Sequence, residues 1–229
     1  MFFDSSQSLL LDQLSFLDQL SLPDSSDFIA GVDEVGRGAL FGPVVAAAVI
    51  LPSSAFKSLS ELGVTDSKKL THATREQLTI SIQDIATDCK IGIASVREID
   101  RLNILYASLL AMKRAIRRLN PQPQVCLIDG NQRIPDLLIH QHTLVKGDEH
   151  SIAIAAASII AKVWRDRLII RMATKYPQYD LAANKGYGTP KHRLALDAFG
   201  PCPYHRRSFK PCQILPSSLS DGISLSHPI

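Results

Sequence analysis

The sequence predicts an α/β protein in which a mixed β-sheet carries helices on its faces. Two apolar runs containing β-branched residues, Phe28–Val35 and Val44–Leu51, have the composition of strands. The connection between them, residues 36–43, holds three glycines and one proline and is too short for a crossover helix. We therefore expect these two strands to pair antiparallel. Beyond them, helical and strand-like patterns alternate up to residue 176.

Each later element follows from its own hydrophobic pattern. In the segment Arg101–Leu119, for example, large apolar residues recur at every third or fourth position, which is the period of one helix face. Short apolar runs bounded by turn-forming residues are typical of strands. In order, the patterns predict a helix over 71–87, a strand at Lys90–Val96, a helix at Arg101–Leu119, strands at Val125–Ile128 and near His142–Val145, and a long helix at Ser151–Tyr176.

The composition is that of a folded globular chain. With 229 residues, 45% of them hydrophobic and 21% charged, it fits one large domain or two small ones and excludes a fibre or a fully disordered chain. No uncharged apolar run approaches the roughly 18 residues that a membrane span needs. The four cysteines include no C-x-x-C pair, although Cys202 and Cys212 flank a Pro-rich turn and could pair or bind a metal. We expect a reducing, cytoplasmic location.

The charges are unevenly distributed along the chain. Residues 1–28 carry five Asp and no Lys or Arg, whereas residues 160–212 carry 11 Lys and Arg against three Asp. The basic quarter indicates an acidic partner. We expect residues 1–27 to form a poorly ordered acidic extension, 28–212 the folded domain and 213–229 a Ser/Pro-rich tail. The extension lacks the basic start of a signal peptide, and its spaced leucines also allow a short amphipathic helix.

Four carboxylates lie at the ends of apolar elements. Asp33 and Glu34 interrupt the first strand and, as neighbours, are expected to point to opposite sides of the sheet unless both lie at a frayed end. Asp129 ends the run Val125–Ile128, and Asp148 precedes the long helix, where it could also cap the helix N-terminus. Each alone is more typical of a cap, a turn or a solvated rim. Together they predict one acidic cluster, which costs stability unless a cation lies within it.

The expected cation is Mg²⁺ or Mn²⁺, because these ions prefer oxygen ligands and no His or Cys cluster has zinc spacing. Oxygen-bound ions beside a basic surface favour phosphodiester hydrolysis. The neighbouring Gly-rich connection is not a dinucleotide fingerprint, because Phe41 stands where the third glycine would be, and the chain has no P-loop motif. A turn between paired strands explains these glycines, but it does not explain Arg37 between two of them.

Seven stretches of the chain resemble ribonuclease HII, in that family's order and over most of 28–212. They are GVDEVGRGALFGPVVAAAVIL (31–51), TDSKKLT (65–71), IDRLNILYASLLAMKRAI (99–116), LIDGN (127–131), KGDEHSIAIAAASIIAKVWRD (146–166), NKGYGTPKH (184–192) and HRRSFKPC (205–212). The resemblance implies an RNase H-like fold, a mixed five-stranded sheet flanked by helices with a helical C-terminal part. It also implies endonucleolytic cleavage of RNA in RNA–DNA hybrids and 5′ of ribonucleotides embedded in duplex DNA, leaving 3′-hydroxyl and 5′-phosphate ends.

The same resemblance assigns functional residues. Tyr187 matches the family's tyrosine that packs on the sugar at the RNA–DNA junction. The family's backbone sensor of the ribose 2′-hydroxyl, the group that distinguishes RNA from DNA, matches Gly36, Arg37 and Gly38. Its four metal-binding carboxylates, which hold two Mn²⁺ or Mg²⁺ ions with substrate, match Asp33, Glu34, Asp129 and Asp148.

Basic side chains complete the expected substrate contacts. Lys68 lies in a loop, where it contacts phosphate or belongs to a solvated turn. Asp166 lies 18 residues beyond Asp148 and is expected in an ion pair on the helix face. Other basic residues form a set of which only a subset should hold phosphates. The set consists of the cations within 162–175 together with Lys185, Lys191, Arg193, Arg206, Arg207 and Lys210.

Two other functions are compatible with parts of the sequence. A nuclease of related fold that acts on DNA junctions would use similar carboxylates, but it gives the Gly-rich turn and Tyr187 no role. A non-catalytic nucleic-acid-binding module would explain only the basic quarter, and it predicts salt-sensitive binding without cleavage. For the ribonuclease, the expected partners are RNA–DNA hybrid and ribonucleotide-containing duplex DNA. We expect no membrane and no obligate protein partner, and a monomer.

Overall fold

The computed structural model describes residues 28–213 and confirms the mixed sheet. The acidic extension and all but the first residue of the tail lie outside the described residues. Five strands form the sheet in the order β3-β2-β1-β4-β5. The first two strands pair antiparallel as expected, β3 is antiparallel to β2, and β4 and β5 continue the sheet in parallel with β1. The strands are β1 (Ile29–Val35), β2 (Val44–Leu51), β3 (Asp88–Ala94), β4 (Val125–Asp129) and β5 (His140–Leu144).

Helices connect and flank these strands. In chain order they are α1 (Ala55–Glu61), α2 (His72–Ile85), α3 (Val96–Arg117), α4 (Gly147–His150), α5 (Ile152–Ala173), α6 (Leu181–Asn184) and α7 (Pro190–Phe199), with short 3₁₀ turns at Ser67–Lys69, Pro177–Tyr179 and Lys210–Cys212. Within residues 28–213, none of these helices is long and apolar enough to cross a membrane.

The two long helices pack on opposite faces of the sheet. One core cluster joins α5, α1 and α2 to alternate residues of β2 such as Ala47, and a second joins α3 to the intervening residues such as Ala46. Every residue of β2 is therefore buried, which explains its uninterrupted apolar sequence. The backbone of α5 approaches β1 so closely that a Cβ at Gly31 would lie 2.0 Å from the carbonyl carbon of Ala153. Glycine at this position sets the spacing between sheet and helix.

The boundaries differ from the sequence prediction mainly at polar helix starts. Helix α3 begins at Val96 instead of Arg101, and it is kinked at Asn103, whose φ of 67° and ψ of 168° are not helical. The segment before the kink starts at a capping box: the Ser95 Oγ accepts from the Glu98 N–H and the Glu98 carboxylate accepts from the Ser95 N–H. This first turn precedes the apolar stripe, so periodicity alone does not detect it. The short helix α1 was not expected either.

A small C-terminal part covers the protruding end of α5, as the helical C-terminal part implied by the resemblance would. Its apolar cluster combines residues of α7 and the 3₁₀ turns with Ile169 of α5 and with Leu40 and Phe41 of the β1–β2 connection. All four cysteines are free, including Cys202 and Cys212. The β1–β2 connection is thus enclosed between the sheet edge and the C-terminal part.

Candidate active site

The four predicted carboxylates come together at one edge of the sheet. Asp33 and Glu34 lie near the end of β1, and Asp129 is the last residue of the neighbouring strand β4. Because β1 and β4 are parallel, their carboxyl ends meet at the same edge. Asp148 lies in α4, which follows β5, the next parallel strand. The capping role considered for Asp148 belongs instead to Ser151, whose Oγ accepts from the Ile154 N–H.

Asp33 and Glu34 occupy opposite faces of β1, as their adjacency predicts. Asp33 is opposite Ala47, on the α5 face, and Glu34 is opposite Ala46, on the α3 face. Asp33 is 6% exposed, and its Oδ1 accepts from the Glu34 N–H at 2.6 Å. On the α5 side it faces the Ser158 hydroxyl, which lowers the pKa of Asp33 and so partly offsets the effect of burial.

Ser158 also links the cluster to the loop before α2. Its Oγ lies 2.9 Å from the Oγ of Ser67, and both side chains are buried. The next residue of that loop, Lys68, places its Nζ 3.3 Å from Asp148 Oδ2. A buried Asp66 caps the same turn by accepting from the Lys68 N–H at 2.9 Å. The loop is therefore anchored at two neighbouring positions against the carboxylates.

The remaining two carboxylates have their own partners. Glu34 Oε1 accepts from the Arg37 guanidinium at 3.0 Å. Asp129 Oδ1 accepts from the backbone N–H of Gly147 at 2.7 Å, which ties the end of β4 to the start of α4. Each of these contacts fixes one carboxylate oxygen and leaves the other available.

Burial and mutual repulsion make the cluster electrostatically costly. Burial raises the pKa of Asp33 well above its ordinary value, and the nearby Glu34, Asp129 and Asp148 raise this pKa further. The pKa of Glu34 is raised by burial despite Arg37, and that of Asp148 is raised by burial despite Lys68. These shifts oppose the simultaneous ionisation of Asp33, Glu34 and Asp148. Additional positive charge among them would relieve this cost.

The donor set fits a hard divalent cation, although the side chains do not form a closed ligand shell as they stand. Among residues 28–213, no three His, Cys, Asp or Glu side chains form a group that could hold an ion in this conformation. Asp148 and Glu34 instead pair with the cations of Lys68 and Arg37. Oxygen donors, burial and the unmet demand for positive charge are the properties that Mg²⁺ or Mn²⁺ would satisfy.

Two buried arginines support the Gly-rich turn that starts at Gly36. Arg206 donates to the carbonyls of Gly36 and Arg37 at 2.7 Å each and to that of Gly42 at 3.0 Å. Arg165 donates to the carbonyls of Phe41, Pro43 and Lys185. Gly36 has a φ of 91°, and a Cβ there would lie 2.2 Å from Arg165 Nε, so only glycine fits.

Tyr187 lies beside the same turn. It forms an isolated antiparallel bridge with Ala39, and its ring lies 5.5 Å from the Arg165 guanidinium and 5.8 Å from Lys162 Nζ. Lys191 is exposed and pairs with Asp180 at 3.2 Å. The turn, Tyr187 and the carboxylates thus occupy one region, whereas Lys191 is held in a surface ion pair.

Sequence comparisons assign this arrangement to a family. A family model described as Ribonuclease HII matches residues 30–212. The ribonuclease HII of Nostoc sp. (strain PCC 7120) is 62% identical over 199 residues, which are 86% of this chain and 88% of that protein. That of Trichodesmium erythraeum is 62% identical over 203 residues, 85% of this chain and 96% of that protein. The chain belongs to the ribonuclease HII family.

Solved structures share the fold. Ribonuclease H2 from Pyrococcus horikoshii OT3 has a TM-score of 0.70 and 29% identity, covering 81% of this chain and 95% of that chain. RNase HII from Archaeoglobus fulgidus, solved in a complex with PCNA, has a TM-score of 0.63 and 32% identity over 74% of this chain and 86% of that chain. Bst-RNase HIII, solved with Mn²⁺, has a TM-score of 0.62 at 20% identity over 82% of this chain and 68% of that chain, and it supports the fold alone.

Membership of the ribonuclease HII family establishes the general chemistry. The chain is a metal-dependent nuclease that hydrolyses phosphodiester bonds, with ribonuclease H activity on RNA–DNA hybrids.

Within this ribonuclease HII fold, Arg165 and Arg206 do not belong to the subset of basic residues that can reach a phosphate. Arg165 and Arg206 are both 0% exposed, and all of their hydrogen bonds go to backbone carbonyls. Burial lowers the pKa of Arg206 to about 9, with a further contribution from Arg165. Both arginines therefore support the backbone of the β1–β2 connection from its buried side. Asp166 forms the expected helix-face ion pair, with Lys162 at 2.9 Å.

Ser158 was not among the residues predicted from the sequence, although one signal could have found it. Ser158 and Arg165 are seven residues apart in α5, so both lie on the same side of the helix, in a segment that is otherwise rich in Ala and Ile. Polar residues that repeat on an apolar face indicate buried, partnered groups. Arg206 gives no comparable signal, because it stands next to the exposed Arg207 in an irregular segment.

Proposed function

We propose that this ribonuclease HII family member incises duplex DNA on the 5′ side of a single embedded ribonucleotide as well as cutting longer hybrids, leaving 3′-hydroxyl and 5′-phosphate ends. The catalytic groups in this proposal are Asp33, Glu34, Asp129 and Asp148. The observation that carries it is the position of this partly buried carboxylate cluster next to a Gly-rich connection whose backbone carbonyls are held by two buried arginines. A rigid backbone close to the reacting centre suits recognition of one 2′-hydroxyl.

The carboxylates would hold two Mg²⁺ or Mn²⁺ ions. When bound, two such ions activate a water and stabilise the leaving oxygen of an in-line displacement. Asp33, held by the Glu34 N–H, and Asp129, held by the Gly147 N–H, enter the reaction with fixed orientations. Lys68 and Arg37 neutralise Asp148 and Glu34 in the described conformation, so both carboxylates gain alternative cationic partners when the ions bind.

The substrate contacts divide between turn, ring and lysines. The turn Gly36, Arg37 and Gly38 reads the ribose, and Tyr187 packs on the adjacent sugar. Lys68 and Lys191 have largely exposed side chains and contact phosphates. Lys191 must leave Asp180 to do so, which costs little for an exposed pair.

Asp129→Asn tests the catalytic assignment. The amide keeps an oxygen acceptor for the Gly147 N–H, so the fold and duplex binding should be preserved while the charge is lost. Cleavage of a duplex with one embedded ribonucleotide should fall below detection, with duplex affinity within about twofold of wild type. Asp136→Asn, the same change at an exposed carboxylate paired with Lys113, is the control. Near-normal cleavage by Asp129→Asn would overturn the proposal.

The substrate assignment has a separate test. Two duplexes of identical sequence, one all-DNA and one with a single ribonucleotide, are incubated with either metal, and the cut position and end groups are mapped. Cleavage only of the second duplex, 5′ of the ribonucleotide, is expected. Equal cleavage of both would identify a DNA nuclease instead and remove the assigned roles of the turn and Tyr187.

We also propose that the chain acts in the cytoplasm as a monomer without an obligate protein partner. One chain supplies all four carboxylates, the turn and Tyr187. The four cysteines are free, which fits a reducing compartment. Sedimentation of the active enzyme is the test, because activity confined to an oligomeric fraction would contradict this proposal.

A further inference from the structure

An open groove of about 930 Å³ lies outside the carboxylate cluster, between the second half of α5 and the start of α3. Apolar side chains such as Leu168 and Met172 contribute to its lining. Neither a residue of the carboxylate cluster nor Tyr187 lines it. We call this feature the basic groove and define it by Pro43, Arg97, Arg171, Lys175, Tyr176 and Tyr204.

Every charged residue that lines the basic groove is basic. Arg97, Arg171 and Lys175 are exposed, and no Asp or Glu lines the groove. None of the three forms an ion pair with a carboxylate in residues 28–213. Other exposed cations of the chain do, such as Lys57 with Glu61 and Lys191 with Asp180. Three uncompensated cations in one concave surface attract an anion that carries several charges.

One side of the basic groove is aromatic and rigid. The rings of Tyr176 and Tyr204 lie 5.8 Å apart edge to face, and both contact Phe41, at 5.7 and 6.0 Å. Tyr204 nevertheless remains 45% exposed. Phe41 belongs to the connection that carries the Gly-rich turn. The same ring cluster therefore supports the groove and the far end of that connection.

The basic groove and the carboxylate cluster lie at the same sheet edge. Ala94, the last residue of β3, pairs with Val44, while Val35, the last residue of β1, pairs with Val45. The ends of β1 and β3 are thus two strand spacings apart, about 10 Å. A B-DNA duplex is wider than this separation, because its major groove alone is roughly 12 Å across. A duplex seated on the cluster would extend over the groove.

From this charge, shape and position we infer that the basic groove is a second contact surface for the sugar–phosphate backbone of the substrate duplex. The inference rests on the proposed function, since it deepens the recognition of the same substrate. Arg97, Arg171 and Lys175 bind phosphates flanking the cut site, and the tyrosine rings form the floor along which the backbone lies. Because these contacts are to phosphate, they hold the duplex without reading its sequence.

The test uses the double variant Arg171→Ala/Lys175→Ala and an all-DNA duplex of about 20 base pairs, with affinity measured by fluorescence anisotropy over a salt series. Affinity falls with salt, and each lost phosphate contact makes the negative slope of log affinity against log salt shallower by about 0.9. In this variant the slope should therefore be shallower by about 2. Because the readout is binding, it stands even if wild-type protein fails to cleave, a result that would refute the proposed function alone.

The matched control is Lys57→Ala/Arg117→Ala, which removes the same charge from exposed positions. Lys57 lies in α1, after the far end of β2, and Arg117 ends α3, so both are near the opposite sheet edge. An unchanged slope in this control together with the reduced slope in the groove variant supports the inference. Equal losses in both variants would reveal a general charge effect. No loss in the groove variant would mean that another partner, such as an acidic protein segment, uses the groove. Either result overturns the inference.

Discussion

Replacing Arg206 with methionine is expected to destabilise the fold and impair cleavage through the Gly-rich turn. The guanidinium is fully buried and satisfies the carbonyls of Gly36, Arg37 and Gly42. A buried acceptor left without a donor costs about 1–3 kcal/mol. The Gly36 carbonyl retains the Ala39 N–H at 3.3 Å, and loss of a buried charge near Arg165 offsets part of the cost. The carbonyls of Arg37 and Gly42 lose their donor, so we expect a net loss of about 2–5 kcal/mol.

Urea unfolding measures this loss, and thermal unfolding should show a midpoint lower by about 10 °C. Below the unfolding transition, the variant should cleave a ribonucleotide-containing duplex at least about tenfold more slowly, because the turn is no longer held. Arg207→Met is the control: Arg207 is exposed, so its loss should change stability by less than about 0.5 kcal/mol. If Arg206→Met unfolds and cleaves like this control, the assigned support of the turn is wrong.

Three further changes test other parts of the structure. Gly31→Ala should lower the free energy of unfolding by several kcal/mol, measured by thermal unfolding, because the added Cβ would clash with the Ala153 backbone. Gly38→Ala is the control, because no atom lies within 4 Å of its added Cβ. Ser158→Ala removes the hydroxyl shared by Asp33 and Ser67 and should lower kcat about tenfold with little change in KM; an unchanged kcat would contradict this role. Burial, His192 and Arg207 lower the pKa of His205 to about 3, so the unfolded chain gains a proton that the folded chain rejects. The free energy of unfolding should therefore fall by about 2 kcal/mol between pH 6.5 and 5. Urea unfolding of wild type and of His205→Gln at the two pH values is the measurement, and only wild type should show this fall.

Local patterns in the sequence determined most of the sheet and its long helices. The bounds of β2 were predicted to the residue, because an uninterrupted apolar run is what a strand covered on both faces requires. The adjacency of Asp33 and Glu34 placed them on opposite faces through the period of two in a strand. The gathering of Asp33, Glu34 and Asp129 at one edge followed from their positions at strand ends, and Asp148 joins them from the helix after the next parallel strand.

The tertiary structure alone decided which polar residues are buried and what they hold. Arg206 reaches carbonyls 164–170 positions earlier in the chain, and Ser158 meets Ser67 across 91 positions. In the sequence, Arg206 is indistinguishable from its exposed neighbour Arg207. Periodicity reports the face of a single element, whereas burial depends on which distant segment covers that face. Charge and spacing thus revealed the carboxylates, while the supports that orient the neighbouring turn became visible only in the assembled fold.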